Sequence, residues 1–167
     1  MKSMDLDQID AFIFDFDGVL TNNKVFVDTN GNETVLCSRA DGLAFDVLRV
    51  LNKPCFILSS EKNKVVEERA KKLRIEVLHG LQDKVKSLEK LLINKKYKKS
   101  KIFYVGNDLN DLLVMKECGY TACPFDSHSK IKTLSDYLCK SKGGDGIVRE
   151  ILEEIFKIDF VEVLYNK

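Results

Sequence analysis

Ala11-Phe12-Ile13-Phe14-Asp15-Phe16-Asp17-Gly18-Val19-Leu20-Thr21 runs from apolar residues straight into two acids and a glycine. Residues 11–16 read as a strand buried on both faces, since the run is too continuous for one that faces water on one side. In open α/β sheets ligands gather beyond the carboxyl ends of the strands, so both acids are expected at a functional edge. Strand alternation puts Asp15 and Asp17 on one side and Phe16 on the other. Two carboxylates that close repel unless a proton or cation intervenes, and a hard cation such as magnesium takes oxygen ligands. The plain alternative, a turn that merely favours Asp and Gly, fits poorly with buried residues leading into two charges.

Working outward, residues 54–59, 76–79, 101–105 and 119–123 read as further strands, and 42–51, 61–73, 81–95, 108–118 and 145–156 as helices. The alternation predicts an α/β fold: a Rossmann-like parallel sheet with helices on both faces, in a single domain over 1–167. One insertion breaks the rhythm. Residues 24–28 and 33–37 are β-type runs joined by Thr29-Asn30-Gly31-Asn32, whose Asn-Gly pair tolerates positive φ, so a β-hairpin is expected after the first strand.

Composition narrows the class. The 167 residues carry 27 basic and 26 acidic side chains, so overall charge gives no argument for nucleic acid, and the basic run 95–101 reads as a solvated connection. Five scattered cysteines without a CxxC pair argue for reduced thiols rather than disulfides or zinc. Residues 1–10 hold three acids and lack the basic-then-apolar order of a leader, and no apolar run approaches the ~18 residues a membrane span needs. A soluble, cytoplasmic protein with no membrane partner is expected.

Later strand ends add chemistry. Ser59 and Ser60 close the second strand, where hydroxyls and a helix start can hold phosphate oxygens, although serine is also a common N-cap. Lys84 opens a helix, a poor place for a cation against the helix dipole, which suggests neutralisation of a phosphate. Alone it would more often be a surface lysine. Gly106-Asn107-Asp108-Leu109-Asn110-Asp111 follows the fourth strand and offers acids and amides for a divalent cation. Judged alone it could equally be an N-cap with acids in the first turn. Beside the first-strand pair, one carboxylate could attack phosphorus and the other could move a proton.

This ordered set resembles the haloacid dehalogenase superfamily of phosphatases. The resemblance is closest to the small, hairpin-bearing branch that hydrolyses 3-deoxy-octulosonate 8-phosphate (KDO phosphate) and nonulosonate 9-phosphates of the sialic-acid type. It rests on Asp15–Thr21, Ser38-Arg39-Ala40-Asp41-Gly42, His79-Gly80, Asn107–Asp111, and Gly143-Gly144-Asp145-Gly146 with Arg149-Glu150. By that resemblance Asp15 is the nucleophile, Asp17 the general acid and base, and Ser59 and Lys84 hold the transferring phosphoryl group. The cofactor is Mg2+, held by Asp15, the Asp17 carbonyl and either Asn107 or Asp108, with Asp111 behind them. Family members often carry Asp where this chain has Asn107. The run Ser59-Ser60-Glu61-Lys62-Asn63 replaces the Thr-Gly-Arg usual in the octulosonate enzymes and is similar to the nonulosonate phosphatases. Ser60, Arg39, Glu61, Arg69 and Lys72 are the implied substrate contacts, the last three at spacing that brings one helix face to the site. The resemblance also implies a homotetramer whose hairpins pack together, with a neighbouring subunit helping to close each site.

Two classes of function compete. One is a working sugar-acid phosphatase, with a nonulosonate 9-phosphate preferred over octulosonate 8-phosphate. The other is a non-catalytic oligomerisation module, like the phosphatase-like tail domain of acylneuraminate cytidylyltransferases. Presence of Asp15, Asp17, Ser59, Lys84 and Asp108 together favours the enzyme.

Overall fold

The computed structural model describes residues 4–166; residues 1–3, part of the N-terminal segment read above, and residue 167, the end of the predicted domain, lie outside the described residues. Six parallel strands form one sheet: β1 Ala11–Phe14, β4 Cys55–Leu58, β5 Glu76–Leu78, β6 Ile102–Val105, β7 Tyr120–Cys123 and β8 Tyr137–Leu138. Their order is β5-β4-β1-β6-β7-β8, with β1 at the centre. The chain runs outward on one side of β1 and then jumps to the other, so the switch point lies at the carboxyl end of β1.

Alternation along these strands divides the core. Phe12, Phe14, Ile57, Phe103 and Val105 face one way, onto α1 (Arg39–Val50) and α2 (Val65–Leu73). Ile13, Phe56, Leu58, Ile102 and Tyr104 face the other, onto α3 (Lys84–Lys95), α4 (Leu112–Lys116) and α5 (Ser129–Leu134). Phe16, fully buried, joins the first cluster, as alternation predicts, although the paired strand stops at Phe14.

Several predicted boundaries move for identifiable reasons. Helix α1 starts earlier than expected because the Ser38 hydroxyl caps it, accepting from the Ala40 N–H at 3.1 Å. Helix α2 starts later, since the Glu61 carboxylate accepts from the N–H groups of Lys62 and Asn63 and holds 61–64 as a loop. The predicted helix over 108–118 is a 3-10 turn, Leu109–Asp111, followed by α4. That over 145–156 is α6 (Ile147–Glu150) running into a π-helical turn, Ile151–Ile155. The strand β8 and the helices α5 and α7 (Phe160–Tyr165) were not expected at all.

The hairpin exists but is shorter than predicted: β2 is Phe26–Val27 and β3 is Glu33–Thr34, with Phe26 opposite Thr34. Of the Asn-Gly pair only Gly31 takes positive φ. Asp28 organises the turn instead, its Oδ1 accepting from the N–H of Asn30 and of Asn32. The hairpin exposes apolar surface: Phe26 is 74% accessible and Leu36 73%.

Asp41 of α1, 2% exposed, reaches across the fold and accepts from the Val148 N–H at 2.8 Å and the Arg149 N–H at 3.4 Å. Its second oxygen has no partner. Burial raises its pKa from the ordinary 3.8 to about 6 despite those two hydrogen bonds. A carboxyl with a raised folded-state pKa favours folding most when protonated, so this contribution is full below pH ~4 and lost as pH climbs to about 6. The loss is on the order of 3 kcal/mol. Asp41→Asn keeps an acceptor for Val148 and removes the titration. The difference in melting temperature between Asp41→Asn and wild type is expected to shift in the variant's favour from pH 4.5 to 7; parallel curves would show that Asp41 is not buried as described.

Candidate active site

The ends of the strands beside the switch point assemble one acidic site. The Asp15 N–H donates to the Val105 carbonyl at 2.9 Å, which sets the carboxylate beside the loop after β6. Asp15 is 3% exposed and Asp111 is fully buried, with Lys84 between them. The Lys84 ammonium lies 2.8 Å from Asp15 Oδ1 and 2.7 Å from Asp111 Oδ1. Lys84 is therefore not a solvated surface lysine: it opens α3 directly after the Asp83 N-cap, and its side chain is buried.

Asp111 is the hub. Its Oδ1 also accepts from the Tyr104 hydroxyl at 2.9 Å, and its Oδ2 accepts from the Asn107 N–H at 2.9 Å. Burial, followed by the charge of Asp111, pushes Asp15 well above the usual carboxylate range, with Lys84 opposing. Burial depresses Lys84, but the two carboxylates outweigh it and its pKa is raised. Two carboxyl groups thus share one ammonium in the interior, which can balance only one of them in its ionised form.

Above this cluster lies a cavity of about 420 Å³ lined by Asp15, Asp17, Ser59, Ser60, Glu61, Asn107 and Asp108, with Asn23 at its edge. Asp17 sits on the turn after β1 and is half-buried; burial first, then the Glu61 carboxylate, raises its pKa, while the Thr21 hydroxyl donates to it at 3.4 Å. Gly18 makes this turn possible at φ 79°, and any Cβ there would fall 1.9 Å from Asn107 Nδ2. The Ser59 hydroxyl oxygen accepts from the Glu61 N–H at 3.1 Å, which leaves its hydrogen to donate elsewhere.

The loop after β6 separates two residues that sequence left as equals. Asp108 is exposed and its carboxylate caps the Leu109 N–H at 2.7 Å. Asn107 is 6% exposed and lines the cavity, and its amide oxygen is buried without a hydrogen-bond partner. Among the described residues no group of three or more His, Cys, Asp or Glu stands together as a metal centre.

Of the predicted sugar contacts, Ser60 and Glu61 line the cavity, Glu61 from the loop before α2 rather than from the helix face. Arg39, Arg69 and Lys72 do not line it. They open into a separate hollow with Cys37 and Asp46. Arg69 donates to the Ser38 carbonyl at 2.8 Å. Sequence reading missed Tyr104 and Asn23. Tyr104 carried a usable signal, because a hydroxyl inside an apolar strand must find a buried partner. Asn23 carried none; its left-handed backbone (φ 59°) is visible only in the fold.

A paired-carboxylate cavity over a buried lysine, at the switch point of a parallel sheet, is the arrangement of a hydrolase acting on an anionic group. Comparison with known proteins agrees. Residues 55–151 match the family model for haloacid dehalogenase-like hydrolases. The 3-deoxy-D-manno-octulosonate 8-phosphate phosphatase of Salmonella typhi is 30% identical over 148 residues, covering 88% of this chain and 79% of that protein. The phosphatase of the same name from Yersinia pestis is 29% identical over the same shares. Among solved structures, an HAD family hydrolase from Streptomyces avermitilis superposes with a TM-score of 0.90 at 35% identity, covering 94% of this chain and 90% of that one. The octulosonate 8-phosphate phosphatase of Moraxella catarrhalis, solved with magnesium, phosphate and KDO, gives 0.85 at 30% identity, over 90% and 87%. The chain belongs to the haloacid dehalogenase-like hydrolase family. Within it the chain sits on the branch of the KDO 8-phosphate phosphatases and is a phosphoric monoester hydrolase.

Proposed function

We propose that this protein is a magnesium-dependent phosphatase that removes the phosphoryl group from a sugar-acid phosphate through a phosphoryl-aspartate on Asp15. The observation that carries this reading is the Asp15–Lys84–Asp111 cluster beneath a cavity that also holds Asp17 and Ser59. An Asp15 oxygen attacks phosphorus, and the Asp17 carboxyl gives its proton to the departing sugar oxygen. Burial and Glu61 raise the Asp17 pKa, which favours the protonated form that this transfer requires. Asp17 then takes a proton from the water that attacks the phosphoryl-aspartate, and Asp15 is released. Lys84 and the Ser59 hydroxyl hold phosphoryl oxygens during transfer.

The residues fit a divalent cation. The Asn107 amide oxygen has no partner, and Lys84 alone cannot balance both buried carboxylates once Asp15 is ionised. Asp15, the Asp17 carbonyl and Asn107 Oδ1 would hold it, with Asp108 occupied as a cap. When bound, magnesium would neutralise phosphoryl charge and favour the ionised form of Asp15.

The substrate reading favours a nonulosonate 9-phosphate, supported by Ser59–Asn63 in place of Thr-Gly-Arg. Octulosonate 8-phosphate is the second reading, favoured by the names of the relatives above. Phosphate release with magnesium from both substrates and from common hexose phosphates separates them. Selective nonulosonate turnover supports the first reading, and selective octulosonate turnover replaces it with the second. No magnesium-dependent release from any of them would favour the assembly module.

Assembly as a homotetramer forms part of the same reading, supported by the exposed Val25, Phe26, Val27 and Leu36 of a hairpin too small to be stable alone. Because Arg39, Arg69 and Lys72 open away from their own cavity, any contact of theirs with the sugar would cross a subunit boundary. Phe26→Asp is expected to dissociate the assembly in sedimentation velocity; unchanged mass would remove the hairpin from the interface.

A further inference from the structure

A glycine-rich stretch near the end of the chain crosses directly over the turn that carries Asp17. A Cβ on Gly143 would lie 2.2 Å from the Gly18 carbonyl oxygen and 2.9 Å from that of Thr21. Gly144 would place one 2.7 Å from the Asn22 nitrogen, and its N–H donates to the Val19 carbonyl at 3.0 Å. The opposite side of the same turn is filled by the Asn107 amide against Gly18. Residues 18–22 are therefore held between the loop after β6 and this crossing segment.

The crossing segment is itself anchored. The Gly143 N–H donates to Asp126 Oδ1 at 3.0 Å. The Glu150 carboxylate accepts from the N–H groups of Lys140 and Ser141 at 2.6 and 2.8 Å. The Ser141 carbonyl accepts from the Phe125 N–H at 2.9 Å. These anchors come from α6 and from the loop after β7, so the segment is fixed independently of the turn it presses on.

We propose that residues 140–146 are a positioning strap. Gly143, held by Asp126, sets the height of the Gly18 turn and so aims the Asp17 carboxyl at the leaving oxygen. This rests on the reading of Asp17 as the proton donor given above. Only glycine lets the strap approach this closely, and a methyl group would lift the turn by pushing on the Gly18 carbonyl.

The test compares two leaving groups. Wild type, Gly143→Ala, Asp126→Ala and Asp126→Asn are assayed on the sugar-acid phosphate and on p-nitrophenyl phosphate, whose phenolate leaves without a proton. Gly143→Ala is expected to lose about 100-fold in kcat/KM on the sugar-acid phosphate, the scale of a small misplacement of a catalytic group. Asp126→Ala should lose less, in the same direction, and Asp126→Asn, which keeps the acceptor, should recover. On p-nitrophenyl phosphate the losses in kcat/KM, which reports the phosphorylation step alone, should be clearly smaller. Equal losses in kcat/KM on both substrates, or unaltered kcat/KM on the sugar-acid phosphate in both Gly143→Ala and Asp126→Ala, would overturn the strap. If Gly143→Ala does not fold, the Asp126 pair decides alone. A wild type inactive on both substrates refutes the reaction itself, and the strap with it.

Discussion

Asp15→Asn is expected to lose about 10⁴-fold or more in phosphate release, the scale on which a covalent nucleophile is missed, while melting no lower than wild type without added metal. The two halves of that expectation have one cause. Asp15 and Asp111 share the single ammonium of Lys84 in the interior, and burial disfavours the charged form of Asp15. Replacing its carboxylate by an amide leaves a balanced Lys84–Asp111 pair, so desolvation cost falls as chemistry is lost. An inactive variant that also melts far below wild type would mean that Asp15 is a structural anchor. A fully active one would remove Asp15 from the reaction.

Lys84→Met should move stability the other way. The substitution keeps the apolar stem and removes the ammonium, leaving Asp15 and Asp111 buried with no cation between them. Breaking a buried ion pair by deleting one partner costs about 3–5 kcal/mol, and here two acids are orphaned at once. The phosphoryl oxygens lose a donor as well, so kcat should fall by a factor of about 10² or more. Urea melts and steady-state kinetics on one preparation check both effects. A Lys84→Met protein as stable as wild type would show that the lysine side chain does not point inward. The contrast with Asp15→Asn is diagnostic: both variants lose activity, but only the lysine variant loses substantial stability.

The central sheet and the strand ends that line the cavity were legible because they are written as continuous apolar runs ending in polar residues. Ala11–Phe14 into Asp15, Cys55–Leu58 into Ser59 and Ile102–Val105 into Asn107 each repeat that signal. What stayed hidden depends on contacts distant in sequence. Lys84 looks like any solvated lysine until Asp15 and Asp111 are brought to it from 69 and 27 positions away. The difference between Asn107 and Asp108 shows only in the fold, where the Asp108 carboxylate caps the Leu109 N–H and the Asn107 amide oxygen has no partner. Arg69 and Lys72 share a helix-spacing pattern that reveals a common face but not which cavity that face borders. β8, with two residues, and α5, with six, are too short for periodicity to register. The close crossing at Gly143 has no local signal at all, because a glycine chosen for lack of space looks the same as one chosen for a turn.

The most direct test of phosphoryl transfer through Asp15 is an acid-quenched single turnover with sugar-acid phosphate carrying radioactive phosphorus, followed by peptide mapping. Transient label on the peptide containing Asp15, decaying as inorganic phosphate appears and absent from Asp15→Asn, is the predicted result. Phosphate released at the full rate with no protein-bound label at any time, or label on a different residue, would contradict it.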